Sequence, residues 1–160
     1  MPLQIRRVVT GHDANGKAIV TIDELAKNVI SPRPNVSSAV IWSTEDFPVD
    51  NDGDEDPATR GLKSTTLANG TVFRVLQIEP GNTPRMHRTD SVDYALVLSG
   101  EIDMEMDDGV MVHLKQGDVM VQRGTIHNWL NRGTAPCVIA FVLISAKSVT
   151  AGGKTLPAQG

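Results

Sequence analysis

The chain has 160 residues, 15 of them basic and 19 acidic, for a formal net charge of -4, and 40% are hydrophobic. That length builds one domain with a real core, and the acidic balance lacks the cationic face that non-specific nucleic-acid binding needs. The single cysteine, Cys137, excludes an internal disulfide framework and any site made of several thiolates.

Residues 1–62 read as short β-rich pieces followed by an acidic loop. RRVV and KAIVTI flank GHDANG, whose Asp, Asn and Gly suit a turn. DELAKNV is expected to form one or two helical turns, stopped by SPRP. The run EDFPVDNDGDEDP is acidic and punctuated by Pro and Gly, the pattern of a solvated loop. The start, MPLQIRRVV, has no continuous apolar stretch before small residues, so no signal peptide is expected. No apolar run approaches the roughly 20 residues that span a bilayer, which leaves the cytoplasm as the expected compartment.

Residues 63–146 carry dense short strands with turn signals at close spacing, as in an all-β barrel or sandwich. In EIDMEMDDG, Ile102, Met104 and Met106 alternate with Asp103, Glu105 and Asp107, and Asp108-Gly109 is a strong hairpin turn. DYALVLSG and CVIAFVLIS are apolar on both faces, so the outside of the β-structure should be covered too. A second copy in a homodimer is the simplest cover, with residues 1–62 contributing to the interface. Residues 147–160, small and polar, are expected to form a flexible tail.

The densest pattern of chemistry-bearing residues lies between Gly81 and Asn131. Gly81 is followed by five residues and His87, one residue and Thr89, three residues and Asp93, then six residues and Gly100. Further on, Gly117 precedes His127, and three residues later comes Asn131. This arrangement resembles the paired motifs of the cupin superfamily, Gly-x5-His-x-His-x3,4-Glu-x6-Gly and Gly-x5-Pro-x-Gly-x2-His-x3-Asn. Thr89 stands in place of the second histidine, Asp93 in place of glutamate and Arg123 in place of proline. The stretch from Gly117 to His127 is one residue short.

The resemblance implies an all-β fold, a cupin β-barrel (double-stranded β-helix or jelly roll), with a short β-rich N-terminal extension. It also implies a mononuclear metal site held by His87, Asp93 and His127, with Thr89, Arg74 and Asn131 near the site or against the substrate. Two imidazoles and a carboxylate form the facial set of non-haem iron, and the same set would take Mn, Ni, Zn or Co. The implied function is a metal-dependent enzyme acting on a small organic molecule, by dioxygenase, decarboxylase or other lyase chemistry. Two alternatives stay open: a non-enzymatic small-molecule-binding cupin, and a metal-free isomerase using a His/Asp acid–base pair. Among the remaining candidates, His113 has outward parity and His12 sits in a turn. Arg74 shares an apolar stripe and is read as a structural ion pair before a substrate clamp. Cys137 reads as an inert buried thiol.

Overall fold

A computed structural model describes residues 2–62 and 64–160. The strands are β1 (Arg6–His12), β2 (Ala18–Leu25), β3 (Ile30–Arg33), β4 (Val36–Glu45), β5 (Gly70–Ile78), β6 (Ser91–Ser99) and β7 (Glu101–Glu105). They continue as β8 (Met111–Lys115), β9 (Val119–Arg123), β10 (Asn128–Leu130), β11 (Cys137–Ser145), β12 (Val149–Ala151) and β13 (Lys154–Leu156). A six-stranded sheet in the order β3-β4-β5-β11-β6-β9 faces a three-stranded sheet in the order β10-β7-β8. Every registered pairing is antiparallel. The all-β jelly roll expected from the sequence is the observed architecture.

The core sits between the two sheets. From the large sheet come Val72, Ile78, Ala95, Val97, Ile139 and Phe141, and from the small one Ile102, Met104, Leu114 and Trp129. Period-2 alternation aims these side chains inward, as in β6, where Asp93, Ala95 and Val97 are buried while Tyr94, Leu96 and Leu98 are exposed. The turn joining β7 to β8 has Asp108 and Gly109 both at positive φ, 56° and 71°, the geometry that Asp-Gly supplies to a tight hairpin. Gly100, between β6 and β7, has φ 76°, and a Cβ there would lie 2.5 Å from the Pro136 carbonyl oxygen. Only glycine fits that crossing.

Three expectations change. DELAKNV is not helical: β2 runs through Leu25, because Arg6 and Arg7 of β1 lie opposite Leu25 and Glu24, with Arg6 bound bidentately to Asp23 across the hairpin. Cross-strand charge pairing overrides the helical tendency of a short segment. The large sheet also reaches back before residue 63, since β4 pairs with β5 from Val36↔Ile78 to Glu45↔Gly70. Finally, the segment expected to be a flexible tail folds as the β12–β13 hairpin and then bonds to Arg88, whose N–H donates to Gln159 O at 2.9 Å and whose carbonyl accepts from Gln159 N at 3.0 Å.

The outer face of the large sheet is covered only in part. Leu3 and Ile5, just before β1, pack with Ala39, Val75, Val138 and Ala140 into a second small core. Towards β6 and β9 the same face stays open, with Phe73, Tyr94, Leu96, Leu98, Val119 and Val121 exposed. A groove of about 690 Å³ runs there between the sheet and Ile5–Val8.

Candidate functional site

His87 and His127 are brought together by main chain. They form an isolated antiparallel bridge in which each N–H donates to the other's carbonyl at 2.9 Å. Their rings lie side by side, centroids 4.3 Å apart and tilted by 49°. The His127 ring also meets Trp129 edge-on at 5.9 Å, and Trp129 in turn meets Phe141, so the pair borders the barrel core.

Each ring is oriented by a carbonyl two residues before it. His87 Nδ1 lies 3.0 Å from Arg85 O, and His127 Nδ1 lies 2.9 Å from Thr125 O. A carbonyl can only accept, so Nδ1 is the protonated nitrogen in both rings and Nε2 carries the lone pair. Burial keeps the rings neutral: His87 is 9% and His127 3% exposed. Desolvation lowers both pKa values, His127 to about 4, with Arg85 opposing protonation of each.

Asp93 occupies different surroundings. It is 4% exposed. Its Oδ1 lies 2.5 Å from Ser91 Oγ, which lies 2.8 Å from Thr89 Oγ1, a row produced by alternate residues turning to one face. Burial raises its pKa against the opposing pull of Ser91, the Arg74 charge and Thr89. Arg74 faces inward, its Nη2 donates to Thr65 O at 2.8 Å, and its Nε is buried with no hydrogen-bond partner. Gln122, directly opposite Asp93 in the β6–β9 register, donates to Thr125 Oγ1 at 2.5 Å and leaves its Oε1 buried and unbonded. Asp93, Arg74 and Gln122 thus form a second polar cluster on the large sheet.

The other sequence candidates have structural work. Asn131 is 2% exposed, donates to Ile78 O and Ala135 O, and accepts from Gly133 N, fastening the loop before β11. His113 is at the surface beside Asp103 and Glu101, as its parity predicted, and His12 is exposed. Cys137 is fully buried, and burial pushes its thiol up to about 11, so it stays unreactive. Ser91, Gln122 and Arg85 were missed by sequence reasoning. Ser91 and Gln122 had a usable signal, polar residues at inward parity in β6 and β9.

The divalent metal that the cupin resemblance implies would find part of its donor set here. Two neutral imidazoles with Nδ1–H bonded to carbonyls and both Nε2 lone pairs free have the tautomer and orientation of metal-ligating histidines. They fit two positions of a mononuclear centre. Among the described residues, no group of three or more His, Cys, Asp and Glu side chains converges on one point, and Asp93 is engaged with Ser91 rather than with the histidines.

Comparison with known proteins bears on the family and the fold. A family model described as a cupin domain matches residues 74–144. Phomopsin biosynthesis cluster protein C′ of Diaporthe leptostromiformis is 40% identical over 159 residues, covering 94% of this chain and 83% of that protein. The cupin-domain-containing oxidoreductase virC of Hypocrea virens is 34% identical over 149 residues, covering 89% of this chain and 77% of that one. Among solved structures, a double-stranded beta-helix protein from Klebsiella pneumoniae shares the fold, with TM-score 0.53 and 20% identity, over 84% of this chain and 93% of that chain. The chain belongs to the cupin superfamily. Its relatives' names, oxidoreductases and biosynthesis-cluster proteins, point to an enzyme-like cupin. Among the described residues, no helix is long and apolar enough to cross a membrane.

Proposed function

We propose that this protein is a metal-dependent cupin enzyme of oxidoreductase type that acts on a small organic molecule at the mouth of the barrel. The observation that carries this reading is the oriented pair of neutral imidazoles, His87 and His127, with both Nε2 lone pairs free. These two nitrogens would hold one divalent transition metal, Fe, Mn, Ni, Zn or Co, which when bound supplies Lewis-acid and, for iron or manganese, redox chemistry. The protein's own contribution is positioning. Arg85 O and Thr125 O fix the rings, and Trp129 walls one side of His127. The relatives named oxidoreductases favour redox chemistry over the lyase alternatives.

Metal content of purified protein reconstituted with iron or manganese tests the reading. Wild type and the His113→Ala variant are expected to hold about one ion per chain, and His127→Ala to hold none. Wild-type protein that retains no metal overturns the reading in favour of metal-free acid–base use of the same pair. The open outer face towards β6 and β9 supports a second proposal, that two copies associate there as a homodimer.

A further inference from the structure

The two histidines of the pair are held in unlike ways. His127 stands directly before β10, and the carbonyl that orients its ring, Thr125 O, lies on the same short connection from β9. His87 lies within residues 79–90, which join β5 to β6 without a strand of their own. Its alignment therefore depends on contacts made from elsewhere in the chain.

Besides His127 itself, the C-terminal segment supplies them. Two isolated antiparallel bridges fall on consecutive residues, His87 with His127 and Arg88 with Gln159. Consecutive residues of an extended chain turn their main-chain groups to opposite sides, so the His87 segment runs as a middle strand between His127 and the tail. Arg88 N–H donates to Gln159 O at 2.9 Å, and Gln159 N–H donates to Arg88 O at 3.0 Å. The Arg85 guanidinium donates to Gly160 O at 2.6 Å, and Arg85 O is the acceptor that orients the His87 ring. Gly160 has φ 94°, and an added Cβ would lie 2.6 Å from Met86 O and 2.8 Å from His87 Cβ. The tail is thus seated against His87 and bonded to a residue on either side of it.

The path to that seat is anchored as well. Ala146 N–H donates to Asp90 O at 3.0 Å, and Ser148 Oγ lies 2.9 Å from Asp90 Oδ2. The β12–β13 hairpin then carries the chain back to Arg88. This hairpin forms a separate two-stranded sheet outside both barrel sheets. Two three-residue strands are weak alone, and the bonds on either side of them all converge on residues 85–90.

We propose that residues 146–160 form a clasp that positions His87, so that the metal affinity of the histidine pair depends on closure of the C-terminal segment as well as on the barrel. Opening the clasp releases the Arg88 main chain and the Arg85 side chain together. His87 then loosens, while His127 keeps its place beside β10. The proposal deepens the metal reading above and rests on it for the ion, whereas the orientation of the ring is read without metal.

Ending the chain after Leu156 removes the bonds to Arg85 and Arg88 and tests the clasp. In metal-free protein at pH 7, nitrogen NMR of the imidazoles should find both wild-type rings protonated at Nδ1. In the shortened chain the His87 signals should move towards the Nε2–H form that free imidazole side chains favour in water, while the His127 signals stay. Zn²⁺ affinity, measured by calorimetry, should fall roughly 10–100-fold, the cost of losing the outer support of a metal-binding histidine. Lys154→Ala, in β13 away from the bridge, should match wild type. If the shortened chain fails to fold, Gln159→Pro removes the N–H given to Arg88 O and should act in the same direction. His87 signals that stay in place, His87 and His127 signals that move together, or a selective His87 shift with wild-type Zn²⁺ affinity overturns the clasp. A wild-type protein that binds no Zn²⁺ sinks the metal reading, and a selective His87 shift in that protein leaves the clasp standing as a positioning device.

Discussion

His127 links the site to the acid stability of the protein. Its pKa falls from an ordinary 6.5 to about 4 through burial, so between those values the unfolded chain binds the extra proton. Its contribution is complete above pH 6.5 and is lost as the pH falls towards 4, by up to about 3 kcal/mol at roughly 1.4 kcal/mol per pH unit. His87, also lowered, acts in the same direction. Asp93 acts oppositely: its raised pKa means that stability declines as pH rises from the ordinary carboxylate range through its folded value. Thermal melting of metal-free protein at pH 7 and pH 4.5 should show the acid loss, and His127→Gln should flatten it. An unchanged slope in that variant would assign the effect elsewhere. The histidine pair was legible because both residues follow local motif spacing. Arg85 was not, since it is the carbonyl of this residue that meets His87 Nδ1, and a main-chain acceptor leaves no mark in the residue type.

At the level of elements, the N-terminal hairpin depends on one buried cation. Arg7 is 5% exposed and grips Asp56 through two bonds, Nη1 to Oδ1 at 2.8 Å and Nη2 to Oδ2 at 2.6 Å, with Glu24 a further partner at 3.1 Å. Asp56 in turn caps the short turn at Pro57–Thr59. One side chain therefore ties β1, β2 and the acidic loop together. Arg7→Ala should cost about 2 kcal/mol, because it strands partly buried carboxylates, and should open residues 1–30 to limited proteolysis first. Proteolysis that begins instead in the β7–β8 hairpin would contradict this. The sequence showed the acidic loop but not its anchor, since a bond across 49 positions leaves no trace in local pattern. The same limit explains DELAKNV, whose first three residues are held in strand by β1, and the final segment, whose small polar residues carry little signal until they pair with one another and Gln159 meets Arg88.

For the whole molecule, the barrel was legible because its strands are short and dense, β7 alternates cleanly between apolar and acidic residues, and the turns are marked by Gly and Asp-Gly. What covers the outside was half legible: apolar residues on both faces of β6 and β11 called for a cover, and the chain's own Leu3 and Ile5 supply part of it. The proposed dimer would bury the remainder. Light scattering should give twice the monomer mass for wild type. Leu96→Glu with Val121→Glu, both at exposed positions, should give monomers with little change in folding, whereas a wild-type monomer would remove the proposal. His87 and His127 are aligned by reciprocal main-chain bonds that any residue except proline can make. Side chains that do not make these bonds, at Thr89, Asp93 and Arg123, are therefore free to drift without unseating the pair, so a lineage can exchange the chemistry nearby while inheriting the alignment intact.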